Sequence, residues 1–145
     1  AQYSVEGRRL GQTGKLNLTA NSIDITQPCA DCSITVGAES TNVRAITIQL
    51  KDARGNDINY AETVEIIMYG AADMLSFAST GGSTGIAIGT DGALLAVVAK
   101  KYFLATSEAD GDIDLTWTDT GTESVALGVR LPNGRVVVTS AFANT

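Results

Sequence analysis

Residues 124–142 read SVALGVRLPNGRVVVTSAF, and this stretch decides the fold. Before its turn the side chains alternate, with Val125, Leu127, Val129 and Leu131 on one face and Ala126, Gly128 and Arg130 on the other. A period of two is typical of a strand with one buried side. Pro132, Asn133 and Gly134 then favour a tight reversal. After it, Val136, Val138 and Phe142 share one side, with Val137 and Ala141 opposite. The pattern predicts an antiparallel hairpin.

The same alternation recurs upstream between turns rich in Gly, Asp and Asn. It predicts strands in residues 46–51, 62–69, 86–88, 100–105 and 112–118, with an ambiguous apolar run at 93–99. About six or seven short strands at roughly 8–15-residue spacing are typical of an all-β, antiparallel β-sandwich. Residues 71–77 are expected to form one or two helical turns or a bulged connection, and the STGGSTG segment at 79–85 a flexible loop.

The predicted strand at 62–69 carries apolar side chains on both faces. Val64, Ile66 and Met68 point one way, and Ile67 and Tyr69 point the other way. We therefore expect cover on both sides of this strand.

Residues 1–42 differ from the rest of the chain. They are rich in Gly, Thr, Asn and Ser, and their apolar residues come in short bursts such as Leu16/Leu18 and Ile23/Ile25. We interpret 1–42 as an extended N-terminal arm or a small β subdomain that anchors the chain, and 43–145 as the sandwich domain.

Composition narrows the classes of function. The chain has 145 residues, a net charge of −6 and no basic cluster beyond two pairs, so no nucleic-acid partner is expected. No apolar run approaches the roughly 20 residues that span a bilayer, so no membrane partner is expected. There is no histidine, which removes the commonest general base and metal ligand. We expect no enzyme, no catalytic residues and no cofactor.

Two motifs leave alternatives open. Cys29 and Cys32 form a C-x-x-C that fits a disulfide clamping a turn, free thiols, a metal site shared between subunits, or a redox site. Glu108, Asp110, Asp112 and Asp114 form an acidic ladder, which is either a calcium site, with Asp110, Asp112 and Asp114 as the candidate ligands, or the solvent side of a turn and strand. Trp117 alternates in phase with Ile113 and Leu115, which predicts core packing rather than a sugar-stacking platform.

The segments ITIQLKDARGNDI (46–58), ETVEIIMY (62–69), TSEADGDIDLTW (106–117) and the opening hairpin resemble bacterial Ig-like domains of adhesins and phage virion proteins. Residues 43–145 as a whole resemble the C-terminal module of small structural proteins of tailed phages. The resemblance implies an Ig-like β-sandwich in a virion protein.

Within that class, the resemblance implies a capsid decoration (cement) protein on the outer surface of an assembled head. Its partners would be the major capsid protein lattice and other copies of itself, as a trimer, and its location the capsid surface after assembly in the host cytoplasm. The alternatives are a tail tube or tip component and a surface- or carbohydrate-binding module.

Overall fold

The computed structural model describes residues 27–145, which form nine strands and no helix. The strands are β1 (Cys29–Val36), β2 (Val43–Asp52), β3 (Thr63–Tyr69), β4 (Gly85–Ile88), β5 (Ala93–Val98), β6 (Tyr102–Thr106), β7 (Asp112–Thr118), β8 (Ala126–Arg130) and β9 (Val136–Val138). None of the described residues lies in a helix with the length and apolarity needed to cross a membrane.

The strands form two antiparallel sheets. The first has four strands in the order β1-β2-β7-β4, and the second has five in the order β5-β6-β3-β8-β9. Their inner sides enclose one core, whose largest fully buried side chains include Trp117, Ile46, Ile48, Leu50, Ile66 and Met68. Burying each such side chain contributes about 1.5–3 kcal/mol. The predicted all-β antiparallel sandwich is confirmed.

The hairpin of β8 and β9 forms as its turn chemistry predicts. Gly134 has a φ of 88°, and its N–H donates to the Leu131 carbonyl at 2.8 Å. The side-chain oxygen of Asn133 accepts from the Arg135 N–H at 3.0 Å. Beyond Val138 the chain leaves the strand, so Phe142 does not share a side with Val136 and Val138. Its ring packs against Trp117 in the core.

The first sheet begins inside the predicted arm. Strand β1 pairs with β2 from Cys29 opposite Asp52 to Val36 opposite Ile46, and Cys29 and Cys32 are buried. The part of the 1–42 segment from Cys29 onward is therefore built into the sandwich, because Ile34 and Val36 extend the apolar inner side of β2. Residues 1–26 of the predicted arm lie outside the described residues.

The connection after β3 is the bulged alternative, without a helical turn. It folds back so that Phe77 bridges to Tyr69 and the Ala78 N–H donates to the Met68 carbonyl at 2.8 Å. Phe77 therefore extends the outward side of the second sheet.

Candidate functional site

The acidic ladder is rearranged by the fold. Asp112 and Asp114 lie on the outward side of β7, where the turn between β4 and β5 brings Asp91 beside them. The Asp114 N–H donates to the Asp91 carbonyl at 2.9 Å, and one carboxylate oxygen from each of the three lies within 4.8 Å of the others. Asp110 is not in this cluster, because its carboxylate accepts from the Asp112 N–H at 3.2 Å and shapes the turn.

Asp112 is the unusual member of the cluster. Its Oδ1 is buried without a hydrogen-bond partner, whereas the Asp114 carboxylate accepts from the Thr47 hydroxyl at 3.1 Å. Burial raises the pKa of the Asp112 carboxyl, and the neighbouring charges of Asp114, Asp110 and Asp91 raise it further. Calcium takes six to eight oxygen ligands, and this cluster offers three carboxylates. Calcium binding stays a prediction.

The cysteines lie in the bulged strand β1 and not in a turn. Pairing with β2 slips between Cys29 and Asp31, and both cysteines are buried free thiols. Burial raises the pKa of Cys32 to about 12, with Asp31 adding to the effect. Since the thiolate is the nucleophile and metal ligand, these thiols are poorly suited to redox chemistry or metal binding at neutral pH.

The Gly-rich segment predicted to be a flexible loop is held by the side chains of four residues outside it. Trp117 donates its indole N–H to the Gly81 carbonyl at 2.9 Å, and Lys100 donates to the Ser83 carbonyl at 2.8 Å. The Asp119 carboxylate accepts from the Ser83 N–H at 3.0 Å. The fourth partner is Glu123.

The negatively charged carboxylate of Glu123 lies against the backbone of this loop. Its carboxylate accepts from the hydroxyl and N–H of Thr80, and from the N–H groups of Gly81 and Gly82 at 3.4 and 3.2 Å. Burial works to raise the pKa of Glu123, but these hydrogen bonds outweigh it and lower the pKa. Sequence reasoning missed Glu123, because nothing in its local pattern shows that it faces residues some 40 positions upstream.

Trp117 is confirmed as a core residue. It is 0% exposed, and its ring meets Phe142 edge-on with centroids 5.2 Å apart. It is therefore not a platform on which a sugar could stack.

The outward side of the second sheet is a further surface feature, which we call the apolar face. Strand residues alternate, so the residues between the buried positions of β3 and β6 point outward, and the β5 residues paired with those of β6 point the same way. Its apolar members are Leu95, Val98, Tyr102, Leu104, Ile67, Tyr69, Val136 and Val138, extended by Phe77. Leu95 is 63% exposed and Phe77 51%.

Cross-strand pairs make this face continuous. Leu95 lies opposite Leu104, and Val98 opposite Tyr102, which in turn lies opposite Ile67. The Tyr69 ring lies over Gly128, where an added Cβ would come within 2.6 Å of it. Shallow depressions on the face lie around Leu95 and Leu104, and between Tyr69 and the 74–77 segment. The described residues of the face form these shallow depressions and no deep cleft. Such a surface is better suited to binding another protein surface than to binding a small molecule.

Searches with models of known protein families, among curated proteins and among solved structures found no match for this chain.

Proposed function

We propose that this chain is a structural protein of a tailed-phage virion, and specifically a capsid decoration protein that binds the outer surface of an assembled head. The observation that carries an assembly role is the apolar face, on which Leu95, Val98 and Phe77 are 63, 45 and 51% exposed. Contiguous outward apolar surface of this kind marks a site that a partner covers. The assignment to a virion rests on the sequence resemblance.

The polar groups support a binding role over a catalytic one. Cys29 and Cys32 are buried, Glu123 is engaged by the 80–82 backbone, and Asp110 shapes a turn. Among the described residues, the acidic cluster is the one group of three potential metal ligands, and it lies on an open sheet face. A nucleophile with an adjacent base is the arrangement that covalent catalysis needs, and a chain without histidine lacks its commonest base.

In this proposal the sandwich is a rigid outer body, and the N-terminal segment provides the attachment to the major capsid protein lattice. The described chain starts beside Tyr60, whose hydroxyl donates to the Gln27 carbonyl at 2.6 Å. Residues 1–26 are thus joined to the sandwich at the end where β3 begins. The protein acts at the capsid surface after the head has assembled in the host cytoplasm.

Co-sedimentation with assembled phage heads that lack the protein tests this proposal. We expect saturable pelleting with heads and none with unassembled major capsid protein, because binding then uses contacts across neighbouring subunits. A chain lacking residues 1–26 should lose pelleting while keeping its melting transition. The cut must not extend to residue 42, because that would remove β1 and two core cysteines.

Two results would contradict the proposal. Full-strength pelleting by the truncated chain would refute the role of the N-terminal segment. Absence of pelleting, together with rings or tubes in the purified protein, would favour the alternative of a tail tube or tip component.

A further inference from the structure

Strand β5 has an unprotected free edge. It ends the five-stranded sheet and pairs only with β6 among the described residues. Its six residues, ALLAVV, include neither a charged residue nor a proline, and all of them except Leu94 are exposed. Natural sheets commonly protect an edge strand with charges or proline, because its unpaired N–H and C=O groups can bind another strand. The sequence of β5 provides neither, so its edge is open to an added strand.

The core is uncovered beside this edge. Ala96 lies opposite Phe103, and Ile88 at the end of β4 lies opposite Leu115. Residues paired across strands point to the same side of a sheet, so Ala96 and Ile88 point inward as their buried partners do. Both are nevertheless exposed, Ile88 at 39%. The turn at 89–92 joins β4 directly to β5, so inward apolar surface is open at the corner where these two strands meet.

The opposite corner, where β1 and β9 meet, is closed. There the Arg135 guanidinium lies 3.1 Å from the Asp31 carboxylate. The inward residues Ile34, Val36 and Val137 are partly buried and pack against the core. Of these two corners, the one at β4 and β5 therefore lacks cover in the described part of the chain, and one further strand beside β5 would supply it.

The chain that precedes Gln27 enters at the end of the sandwich from which β5 starts. The Gln27 carbonyl accepts from the Tyr60 hydroxyl at 2.6 Å, three residues before β3 begins. Thr63 on β3 lies opposite Thr106, which lies opposite Ala93 at the start of β5. A chain segment that runs along β5 towards Gln27 is therefore antiparallel to β5, which is how the described strands pair with their neighbours.

The preceding segment is long enough to reach this edge. A strand added beyond β5 lies three strand spacings from β3, about 14 Å, and the link from Tyr60 to β3 adds at most about 10 Å. Seven extended residues span about 23–25 Å, so residues 20–26 can cover the distance. Residues 14–19 can then lie beside the six residues of β5.

The sequence of residues 14–19, GKLNLT, fits the two sides of that position. Leu16 and Leu18 alternate with Lys, Asn and Thr. In a strand the two leucines point to one side and the polar residues to the other. Beside β5, the leucines face the open core and the polar residues face water at the margin of the apolar face.

We propose that residues 14–19 form a strand that pairs antiparallel with the free edge of β5 in the same chain and closes the core over Ala96 and Ile88. The proposal does not depend on the capsid role. It leaves residues 1–13 beyond the sandwich, at the corner of β4 and β5, as the part that the proposed attachment would use.

Residue-resolved hydrogen exchange of the full chain tests the added strand. An edge amide that points to water exchanges freely, whereas an amide that donates to a neighbouring strand is protected. We expect the β5 amides that do not donate to β6 to exchange at least tenfold more slowly in the full chain than in a chain lacking residues 1–26. Equal exchange in the two proteins would overturn the proposal, and so would protection gained at β1 or β9 in place of β5.

Matched variants of the full chain test which side the leucines face. Leu16→Asp with Leu18→Asp places two charges against the open core, and this double variant should lose the protection of β5. Asn17→Asp with Thr19→Asp places two charges on the water side of the same strand, and it should keep that protection. Unchanged exchange in β3 shows that the sandwich is folded in both. Equal protection of β5 in the two double variants would overturn the proposal.

Cross-linking distinguishes a strand from the same chain from one supplied by a neighbouring copy. Leu16→Cys or Leu18→Cys is combined with Ala96→Cys, and a mild oxidant joins thiols whose Cα atoms lie about 4.4–6.8 Å apart. The native cysteines are buried and react poorly. We expect at least one of the two pairs to form within a monomer. A cross-linked dimer would overturn the proposal, as would cross-linking to Thr35→Cys on β1 in place of Ala96→Cys.

Failure of this inference and failure of the capsid role are distinguishable, because exchange is measured without phage heads. If Leu16→Asp with Leu18→Asp loses the protection of β5 but still pellets with heads, the added strand is confirmed and attachment uses other residues. If this variant keeps the protection but loses pelleting, the two leucines contact the capsid and the proposed strand is wrong.

Discussion

The outward sides of the two sheets differ, although both cover the same core. The four-stranded sheet presents Ser33, Thr35, Thr47, Gln49, Asp112, Asp114 and Thr116, which we call the polar face. The five-stranded sheet presents the apolar face. An antiparallel sheet with one solvated side normally alternates apolar and polar residues, as the first sheet does. The second sheet has an apolar residue at most outward positions, which is the pattern of a surface that a partner covers rather than one that faces water.

Different interactions stabilise the two faces. On the polar face, Thr47 donates to the Asp114 carboxylate at 3.1 Å and Gln49 donates to the Asp110 carbonyl at 2.8 Å. On the apolar face, ring and aliphatic packing dominates, as in the contact of Tyr69 with Gly128. Substitutions that change volume should therefore affect the apolar face more, and substitutions that change charge should affect the polar side more.

The largest expected effect comes from adding a side chain at Gly128, directly beneath the Tyr69 ring. Gly128→Val should lower the free energy of unfolding by about 2–3 kcal/mol, because the new side chain displaces a ring that already touches this position. Chemical denaturation measures the change. Ala45→Val is the matched control on the outward side of β2, where the residue is exposed, and it should change stability by less than about 0.5 kcal/mol. Equal costs at the two positions would contradict the difference between the faces.

A smaller effect is expected at the Gly-rich loop, where the Glu123 carboxylate holds the backbone. Glu123→Gln should destabilise the protein by about 1–2 kcal/mol at pH 7, because it weakens the hydrogen bonds that hold the 80–82 backbone. The folded-state pKa of Glu123 lies below its usual 4.5, so the stabilisation is present above that pH. It is lost as pH falls through the folded pKa, and thermal melts from pH 7 to pH 3 should show the two proteins converging. A constant difference over that range would contradict this role.

The smallest effect concerns Asp112 on the polar face, whose carboxylate has a buried oxygen without a hydrogen-bond partner. Asp112→Asn should stabilise the protein by less than about 1 kcal/mol at pH 7, because it removes a carboxylate repelled by its neighbours. The folded pKa of Asp112 lies above its usual 3.8, so the ionised group disfavours folding above that folded pKa. The gain should shrink as pH falls from the folded pKa towards 3.8. Loss of stability at neutral pH would show that the carboxylate has a favourable partner.

The effect of calcium on the melting temperature tests the same acidic cluster independently. Because the described residues offer three carboxylates at this cluster, fewer than the six to eight ligands of calcium, we expect 10 mM calcium to raise the melting temperature of the wild-type protein by less than about 1 °C. A rise of several degrees that disappears in Asp112→Asn would establish the cluster as a calcium site.

Part of the candidate site was predictable from sequence. Alternation in residues 62–69 predicted that Ile67 and Tyr69 point away from Val64, Ile66 and Met68, and they do. Cover on the outward side of that strand stays a prediction. Asp112 and Asp114 were predicted to point outward from their strand, and they do. Asp91 was not predicted to join them, because its approach depends on how the β4–β5 turn packs against β7.

Local pattern alone determined the antiparallel sandwich, the hairpin turn at Gly134 and the burial of Trp117, because period-two alternation and turn chemistry act between near neighbours. Tertiary structure decided that Cys29–Val36 joins the first sheet, that Glu123 holds the Gly-rich loop, and that Leu95, Tyr102 and Ile67 form one surface. These outcomes depend on strand order and register, which join residues distant in sequence. Local alternation shows that a residue points inward or outward, but the pairing of strands decides which residues it joins.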